Sequence, residues 1–254
     1  MKKEEIMGIE ELIRMADEEV ERQNYDEALR LYTQASDMGS DEAMICLGLM
    51  YGNGEGVEQD VSKAIDFYTQ ASSLNNSEAM CYLASLYGEG GVVKQDLDKA
   101  LHYYTQAYKL GNPLAMFNLG MMYENGYGVK QDYEEAIRLY SEAVECSESN
   151  AMCNLGVLYS KGVAIKQDLQ KAFELFSMSS ELGNSVAMKN LGVMYQDGEG
   201  VEQDYQKAYE YFCMAIENGN PYAIPYLADM YKNGWGVEKD EEKAKEIMAI
   251  LEEK

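Results

Sequence analysis

The sequence predicts an all-α protein built from antiparallel helix hairpins that stack one on the next. Three observations support this fold class. Ala43, Leu47 and Tyr51 are spaced i, i+4 and i+8, which places them on one helical face. The 254 residues contain 21 tyrosines and three prolines, which favours a repetitive helical chain. An Ala-Met dipeptide, Ala-Ile in its last copy, recurs every 36 residues, at Ala43, Ala79, Ala115, Ala151, Ala187 and Ala223.

The first helix of each repeat carries columns of leucine, of Gly or Ala, and of tyrosine. Glycine lowers helix propensity by about 1 kcal/mol relative to alanine, so a neighbouring helix is expected to pack closely there. The leucines are Leu47, Leu83, Leu119, Leu155, Leu191 and Leu227. The small residues are Gly48, Ala84, Gly120, Gly156, Gly192 and Ala228, and the tyrosines are Tyr51, Tyr87, Tyr123, Tyr159, Tyr195 and Tyr231.

A Gly-rich turn follows each tyrosine, as in GNGEGVEQD at residues 52–60. Its first invariant column is glycine, as expected where a chain adopts positive φ after a helix. Each turn ends in aspartate, a strong N-cap residue whose charge suits the positive end of the next helix. These aspartates are Asp60, Asp96, Asp132, Asp168, Asp204 and Asp240.

The second helix begins after this aspartate and runs, in the first copy, as VSKAIDFYTQAS. Ala64 opens a close-packing column, and Tyr68, four residues on, opens a column of large side chains. The equivalents of Tyr68 are Tyr104, Tyr140, Phe176, Phe212 and Met248. One hairpin cannot bury such a face alone, so the predicted core lies between stacked hairpins.

These columns resemble the Sel1-like repeat, a relative of the tetratricopeptide repeat. The pattern AxxxLGxxYxxGxGVxxDxxKAxxYYxxA stands at residues 43–71 and recurs through the remaining sequence. The resemblance implies a right-handed α-solenoid with a concave groove, used as an adaptor for protein partners. It implies no common catalytic residue.

Two regions are predicted within one continuous solenoid. Residues 1–42 form a tetratricopeptide-like capping hairpin, whose turn is four residues shorter than the others. Residues 43–254 form six Sel1-like repeats, and the tail ILEEK is expected to cap the last one. The predicted repeats are 43–78, 79–114, 115–150, 151–186, 187–222 and 223–254.

Charge and composition exclude several classes of partner. The chain has 45 acidic and 21 basic residues, a net charge of −24, so nucleic acid and anionic membrane surfaces would be repelled. No apolar stretch approaches the roughly 18 residues of a membrane span, and no signal peptide is evident. Five cysteines without a CxxC motif favour a reducing cytoplasm. A cytoplasmic location is therefore expected, with export by a non-classical route left open.

No catalytic, cofactor-binding or metal-binding residue is predicted. Gly52, Gly54 and Gly56 follow a helix, whereas a dinucleotide-binding fingerprint follows a strand. His102 has no partner at metal-ligand spacing. Cys146 and Cys153 straddle a turn between repeats and are expected to be ordinary thiols.

Partner binding is predicted on first-helix columns that vary while the framework repeats. Apolar anchors and amides together suit a peptide or helix, with packing between repeats as the alternative. Trp235, the single tryptophan, lies in a turn and is either an exposed anchor or packed on its own repeat. The groove candidates are Tyr82, Phe117, Asn118, Met121, Asn154, Asn190 and Tyr226.

The predicted function is that of a non-enzymatic adaptor for a neutral or basic protein or peptide. The first alternative is an inhibitor or immunity-type protein that occludes a basic toxin or enzyme. A β-lactam-binding enzyme like the cysteine-rich branch of the family is a second alternative. The regular cysteine pairs of that branch are absent, and so is an SxxK motif. The oligomeric state is left open, with a monomer slightly favoured.

Overall fold

A computed structural model describes residues 8–251 of the chain. These residues form fourteen α-helices without a strand, and a 3-10 helix, Pro221–Ala223, precedes the thirteenth. None of the described helices is long and apolar enough to cross a membrane. The predicted all-α fold class is confirmed. The helices are α1 Ile9–Glu21, α2 Tyr25–Asp37, α3 Asp41–Asn53, α4 Val61–Ser73, α5 Ser77–Glu89, α6 Leu97–Lys109, α7 Pro113–Asn125, α8 Tyr133–Glu145, α9 Ser149–Lys161, α10 Leu169–Glu181, α11 Ser185–Asp197, α12 Tyr205–Glu217, α13 Ile224–Asn233 and α14 Glu241–Ala249.

Successive helices pair as hairpins, beginning with α1 and α2 and ending with α13 and α14. Seven residues, 54–60, link the two helices of the second hairpin, but three residues, 22–24, link those of the first. The predicted turn that is four residues shorter is therefore present. Three-residue connections such as 38–40 join one hairpin to the next.

The chain divides into two compact units, Met1–Leu119 and Gly120–Lys254, with the division inside α7. In unit 1, the consecutive helices α1 to α6 pack pairwise along the chain, up to the α5–α6 contact. In unit 2, the consecutive helices α8 to α14 do the same, up to the α13–α14 contact. Within a unit, every hairpin thus provides the surface on which its neighbour is buried.

The glycine column of the first helices lies against the large rings of the second helices. A Cβ atom built on Gly192 would lie 2.5 Å from Cε1 of Phe212, and one on Gly120 would lie 2.6 Å from Cε1 of Tyr140. Such distances are shorter than real carbon contacts, so only glycine fits without moving the ring. Phe212 and Tyr140 are fully buried as a result. The predicted close approach at this column is confirmed.

Polar contacts close the Gly-rich turns in the same way from repeat to repeat. Asp60 caps α4 by accepting a hydrogen bond from the backbone N–H of Lys63 at 3.0 Å. The Gln59 amide donates to the carbonyl oxygen of Gly52 at 2.8 Å. The Lys63 ammonium lies 4.7 Å from the ring centroid of Tyr51. The Gln59 contact recurs at Gln95, Gln131, Gln167 and Gln203.

A column of asparagines that the sequence analysis did not single out joins consecutive hairpins. The carbonyl oxygen of Asn76 caps α5 by accepting from the N–H of Ala79 at 3.0 Å. Its amide nitrogen donates to Asp41 on the preceding first helix at 2.8 Å. Asn220 is 4% exposed and donates to the carbonyl oxygen of Ser185 at 2.9 Å. The available signal was asparagine at four of the six positions in this 36-residue column, Asn76, Asn112, Asn184 and Asn220, with Ser40 and Glu148 at the other two.

The predicted C-terminal cap is not formed by the described residues. Ile250 is 48% exposed and Leu251 is 37% exposed, while the last three residues lie outside the described part of the chain. Met248 is 41% exposed, although Phe212 in the same column is fully buried. The described tail therefore leaves the outer side of α14 open.

Replacing Gly192 with alanine is expected to destabilise the protein by about 1–3 kcal/mol, because the new methyl group would overlap the Phe212 ring. Gly88→Ala is the matched control, since its Cβ would lie 3.5 Å from that of Ala100, an ordinary contact. That control should stabilise by about 0.5 kcal/mol through helix propensity. Urea unfolding followed by circular dichroism measures both, and equal losses at the two sites would contradict the close contact.

Candidate partner-binding surface

Two of the predicted surface residues are tyrosines that stack on rings of the preceding hairpin. Tyr82 on α5 stacks on Tyr68 with centroids 5.0 Å apart and an interplanar angle of 16°. Tyr226 on α13 stacks on Phe212 at 5.1 Å and 22°. The Tyr82 hydroxyl also donates to Glu78 at 3.2 Å. Burial, reinforced by the Glu78 charge, raises the pKa of Tyr82. Both tyrosines are therefore half-buried and held in one orientation.

The predicted amides are also half-buried, and each uses its nitrogen within the protein. Asn154 donates to the hydroxyl of Tyr140 on the preceding hairpin at 3.2 Å. Asn190 lies 3.9 Å from the Cys153 sulfur, and Asn118 donates to a carbonyl oxygen of its own helix at 2.8 Å. Among residues 8–251, the carbonyl oxygens of these three amides accept no hydrogen bond. They can accept one from a partner's backbone N–H.

The apolar candidates divide between surface and core. Phe117 and Met121 on α7 are half-buried. Within the Phe117 column, Ile45, Cys81 and Cys153 are buried and belong to the packing between repeats. The alternative that this column packs inside the protein therefore holds for those three positions.

Trp235 adopts neither of the two arrangements considered from the sequence. Its ring stacks on Tyr205 with centroids 5.7 Å apart and an interplanar angle of 12°. Tyr205 begins α12, so the tryptophan packs on the preceding hairpin and is half-buried. The next residue, Gly236, lies against the Tyr205 carbonyl, where a Cβ would approach to 2.6 Å. The freely exposed anchor is not present, and partner binding by Trp235 stays a prediction.

Two lysines stand near the amides of unit 2. Lys189 on α11 is half-buried, and burial lowers its pKa; nearby Lys161 acts in the same direction, while Cys153 opposes it. Lys161 on α9 is exposed. Lys189 directly precedes Asn190 on α11, so positive charge stands beside that amide in a strongly acidic protein.

The sequence features considered for other chemistry have structural roles. Gly54 and Gly56 have φ of 75° and 70° and close a turn between two helices. His102 is exposed, and its ring lies edge-on to Tyr103 with centroids 5.4 Å apart. All five cysteines are free thiols. Within the part of the chain that the structure describes, no cluster of His, Cys, Asp and Glu side chains could hold a metal ion.

Stacked hairpins with varied side chains on a repeated framework define a helical repeat protein of the interaction-scaffold class. The chain belongs to the Sel1 repeat family, whose members generally bind other proteins. The family model matches seven consecutive segments, which together cover most of the chain. These are residues 17–40, 41–76, 77–112, 113–147, 149–184, 185–220 and 221–249.

Solved structures with the same fold include a Sel1 repeat protein from Oxalobacter formigenes. It is 28% identical, with a TM-score of 0.88 over 95% of this chain and 99% of that one. A protective antigen of uropathogenic Escherichia coli, c5321, is 28% identical with a TM-score of 0.73, over 95% of this chain and 55% of its own. The immunity protein Pa5087 from Pseudomonas aeruginosa is similar in fold, with 22% identity and a TM-score of 0.55 over 75% of this chain and 73% of that one. No curated protein matched the chain.

The burial of the thiols predicts the order in which they are alkylated. Cys146 is exposed, whereas burial raises the pKa of Cys81 to about 12 and that of Cys153 to about 11. Because thiolate is the reactive species, iodoacetamide at pH 8 should modify Cys146 at least about tenfold faster than the other two. Peptide mapping by mass spectrometry measures the order, and the urea-unfolded chain should lose it. Faster reaction at Cys81 would contradict the described packing.

Proposed function

We propose that this protein is a non-enzymatic cytoplasmic scaffold that binds a segment of a protein partner on the exposed side of its first helices. The observation that carries the proposal is the set of half-exposed amides whose carbonyl oxygens have no partner among the described residues. Asn154 and Asn190 form this set in unit 2, and Asn118 belongs to unit 1.

The arrangement of these side chains favours binding at low entropic cost. Contacts with the preceding hairpin already hold Tyr82, Tyr226 and Asn154 in place, so little side-chain freedom remains to be lost. The amide oxygens would accept backbone N–H groups, while Phe117 and Met121 would contact apolar side chains of the partner. Each half of the surface is proposed as a binding surface in its own right.

The proposed partner is neutral or basic. A net charge of −24 favours the approach of cationic proteins and repels acidic ones. The division into a capping hairpin, residues 1–42, and six repeats, residues 43–254, belongs to the same proposal. In it, the six repeats supply the variable binding columns.

The first test is capture of partners from a lysate of the source cells, read by quantitative mass spectrometry. Asn154→Ala with Asn190→Ala should lower recovery of the specific partner about fivefold or more, since two hydrogen bonds of about 1 kcal/mol each are lost. Gln34→Ala with Gln70→Ala is the control, because these exposed amides lie on second helices and outside both proposed surfaces. Equal recovery by the two variants would overturn the first-helix surface in unit 2.

The same experiment separates the two units. Tyr82→Ala with Asn118→Ala alters only unit 1. Loss of a partner with this pair, but not with the unit 2 pair, would assign that partner to unit 1. Unchanged melting temperatures are required of every variant, so that loss of capture is not loss of folding.

The strong acidity favours a second candidate function, that of an inhibitor or immunity-type protein that occludes a basic toxin or enzyme. Association with such a target should slow at least about tenfold between 50 and 500 mM salt, because charge steering is screened. Stopped-flow mixing with a purified candidate toxin, encoded beside this gene, measures the rate. A salt-independent rate, or the absence of such a neighbouring gene, would speak against this function.

A further inference from the structure

Exposed apolar side chains concentrate on one edge of unit 2, where second helices end and first helices begin. Met178 and Leu182, at and after the end of α10, are 45% and 53% exposed, and Val186 on α11 is 47% exposed. One hairpin further on, Met214 on α12 and Tyr222 are 40% and 78% exposed. These five residues are named the Met patch.

The repeat framework does not require apolar residues at most of these positions. The column of Leu182 is apolar in other hairpins too, as at Leu74 and Leu110, so that residue belongs to the turn. The column of Met178 and Met214 is polar in the first hairpin and in three of the six repeats, at Gln34, Gln70, Gln106 and Glu142, and is apolar again at Ile250 in the last repeat. The column of Val186 and Tyr222 is also mostly polar elsewhere, with Glu42, Glu78 and Asn150. Both columns are therefore apolar together at two successive places, at Met178 with Val186 and at Met214 with Tyr222.

The five side chains form two parallel rows. Met178 and Leu182 are four residues apart and share one side of α10. Met214 and Tyr222 repeat the positions of Met178 and Val186 36 residues later, and α11 packs on both α10 and α12. The rows therefore lie side by side at the same edge of unit 2.

Carboxylates border the Met patch. Glu174 and Glu181 lie on either side of Met178 along α10, and Glu210 and Glu217 lie on either side of Met214 along α12. All four are exposed, and none forms an ion pair with a described residue. An apolar centre with unpaired negative charges on its rim is complementary to an apolar stripe flanked by cations.

We propose that the Met patch docks a basic amphipathic helix of a protein partner. Methionine side chains adapt to varied apolar shapes, and a helix presents its anchors at i, i+3, i+4 and i+7 in a single stripe. Lysines or arginines beside that stripe would pair with the four carboxylates. A second copy of this chain would bring like charges together, and an anionic membrane would be repelled. The patch adjoins the first-helix surface, because Val186 precedes Asn190 by one helical turn on α11, but the proposal rests on different side chains and does not depend on that surface.

The test uses an 18-residue peptide of leucine and lysine with leucines at helical spacing, and a scrambled peptide of the same composition. Methyl NMR of protein labelled with ¹³C at methionine methyls reports where the peptide lies. The Met178 and Met214 signals should shift with the patterned peptide, while that of the exposed Met38, which follows α2 in unit 1, should not. Absence of these shifts, or equal shifts with the scrambled peptide, would overturn the proposal.

Variants test the apolar contacts and the charged contacts of the Met patch separately. Met178→Gln with Met214→Gln introduces the residue that other repeats carry, and should weaken the peptide at least tenfold by fluorescence anisotropy. Leu74→Gln in unit 1 is the control for an exposed apolar residue outside the patch. Replacing Glu174, Glu181, Glu210 and Glu217 with glutamine should weaken binding at least tenfold and remove most of its salt dependence. Unchanged affinity in either set would overturn the proposed occupant.

Other occupants give different results in the same assay. Concentration-dependent sedimentation of the protein alone, lost in the methionine variant, would assign the patch to a second copy. Shifts of the same methyl signals with phosphatidylcholine vesicles, but not with the peptide, would assign it to a lipid surface. Both outcomes contradict the basic helix, and neither bears on capture through Asn154 and Asn190.

Discussion

Close contact between a small residue of the first helix, glycine in four of the six repeats, and a large side chain of the second organises the hairpins. At Gly192 and Phe212 the two helices approach so closely that a single methyl group on the glycine would overlap the ring. Glycine weakens an isolated helix, so the helix depends on this packing for much of its stability. The ring then fills the space between helices and stays buried. Alanine also occurs in this column, since Ala84 accompanies the Tyr104 ring and Ala228 accompanies Met248 in the last hairpin.

The same rings connect the core to the candidate surface. Tyr68 supports Tyr82, Phe212 supports Tyr226, and the Tyr140 hydroxyl accepts from Asn154. A side chain available to a partner is thus oriented by the hairpin that precedes it. A change in the core at such a ring therefore also changes the surface, and stability and binding are coupled through one residue.

Acidity has different consequences at different places in the molecule. Asp60 and its equivalents cap helices and need no partner to explain them. Carboxylates such as Glu135 are paired with arginine on their own helix, which lowers the pKa of Glu135. The rim of the Met patch is a different case, because its carboxylates border apolar side chains and form no ion pair with a described residue. Total charge excludes classes of partner, whereas the local arrangement indicates where a cationic partner would bind.

The periodicity of the sequence by itself established the hairpin repeat, the glycine column and the capping aspartates, because each depends on contacts within one hairpin. Which variable side chains are exposed depended on the tertiary structure. Cys81 and Cys153 are buried, Asn76 joins two hairpins, and Trp235 rests on the hairpin before its own. These outcomes depend on residues many positions away along the chain. Helical spacing assigns a residue to a face, but the neighbouring hairpin decides whether that face meets protein or solvent.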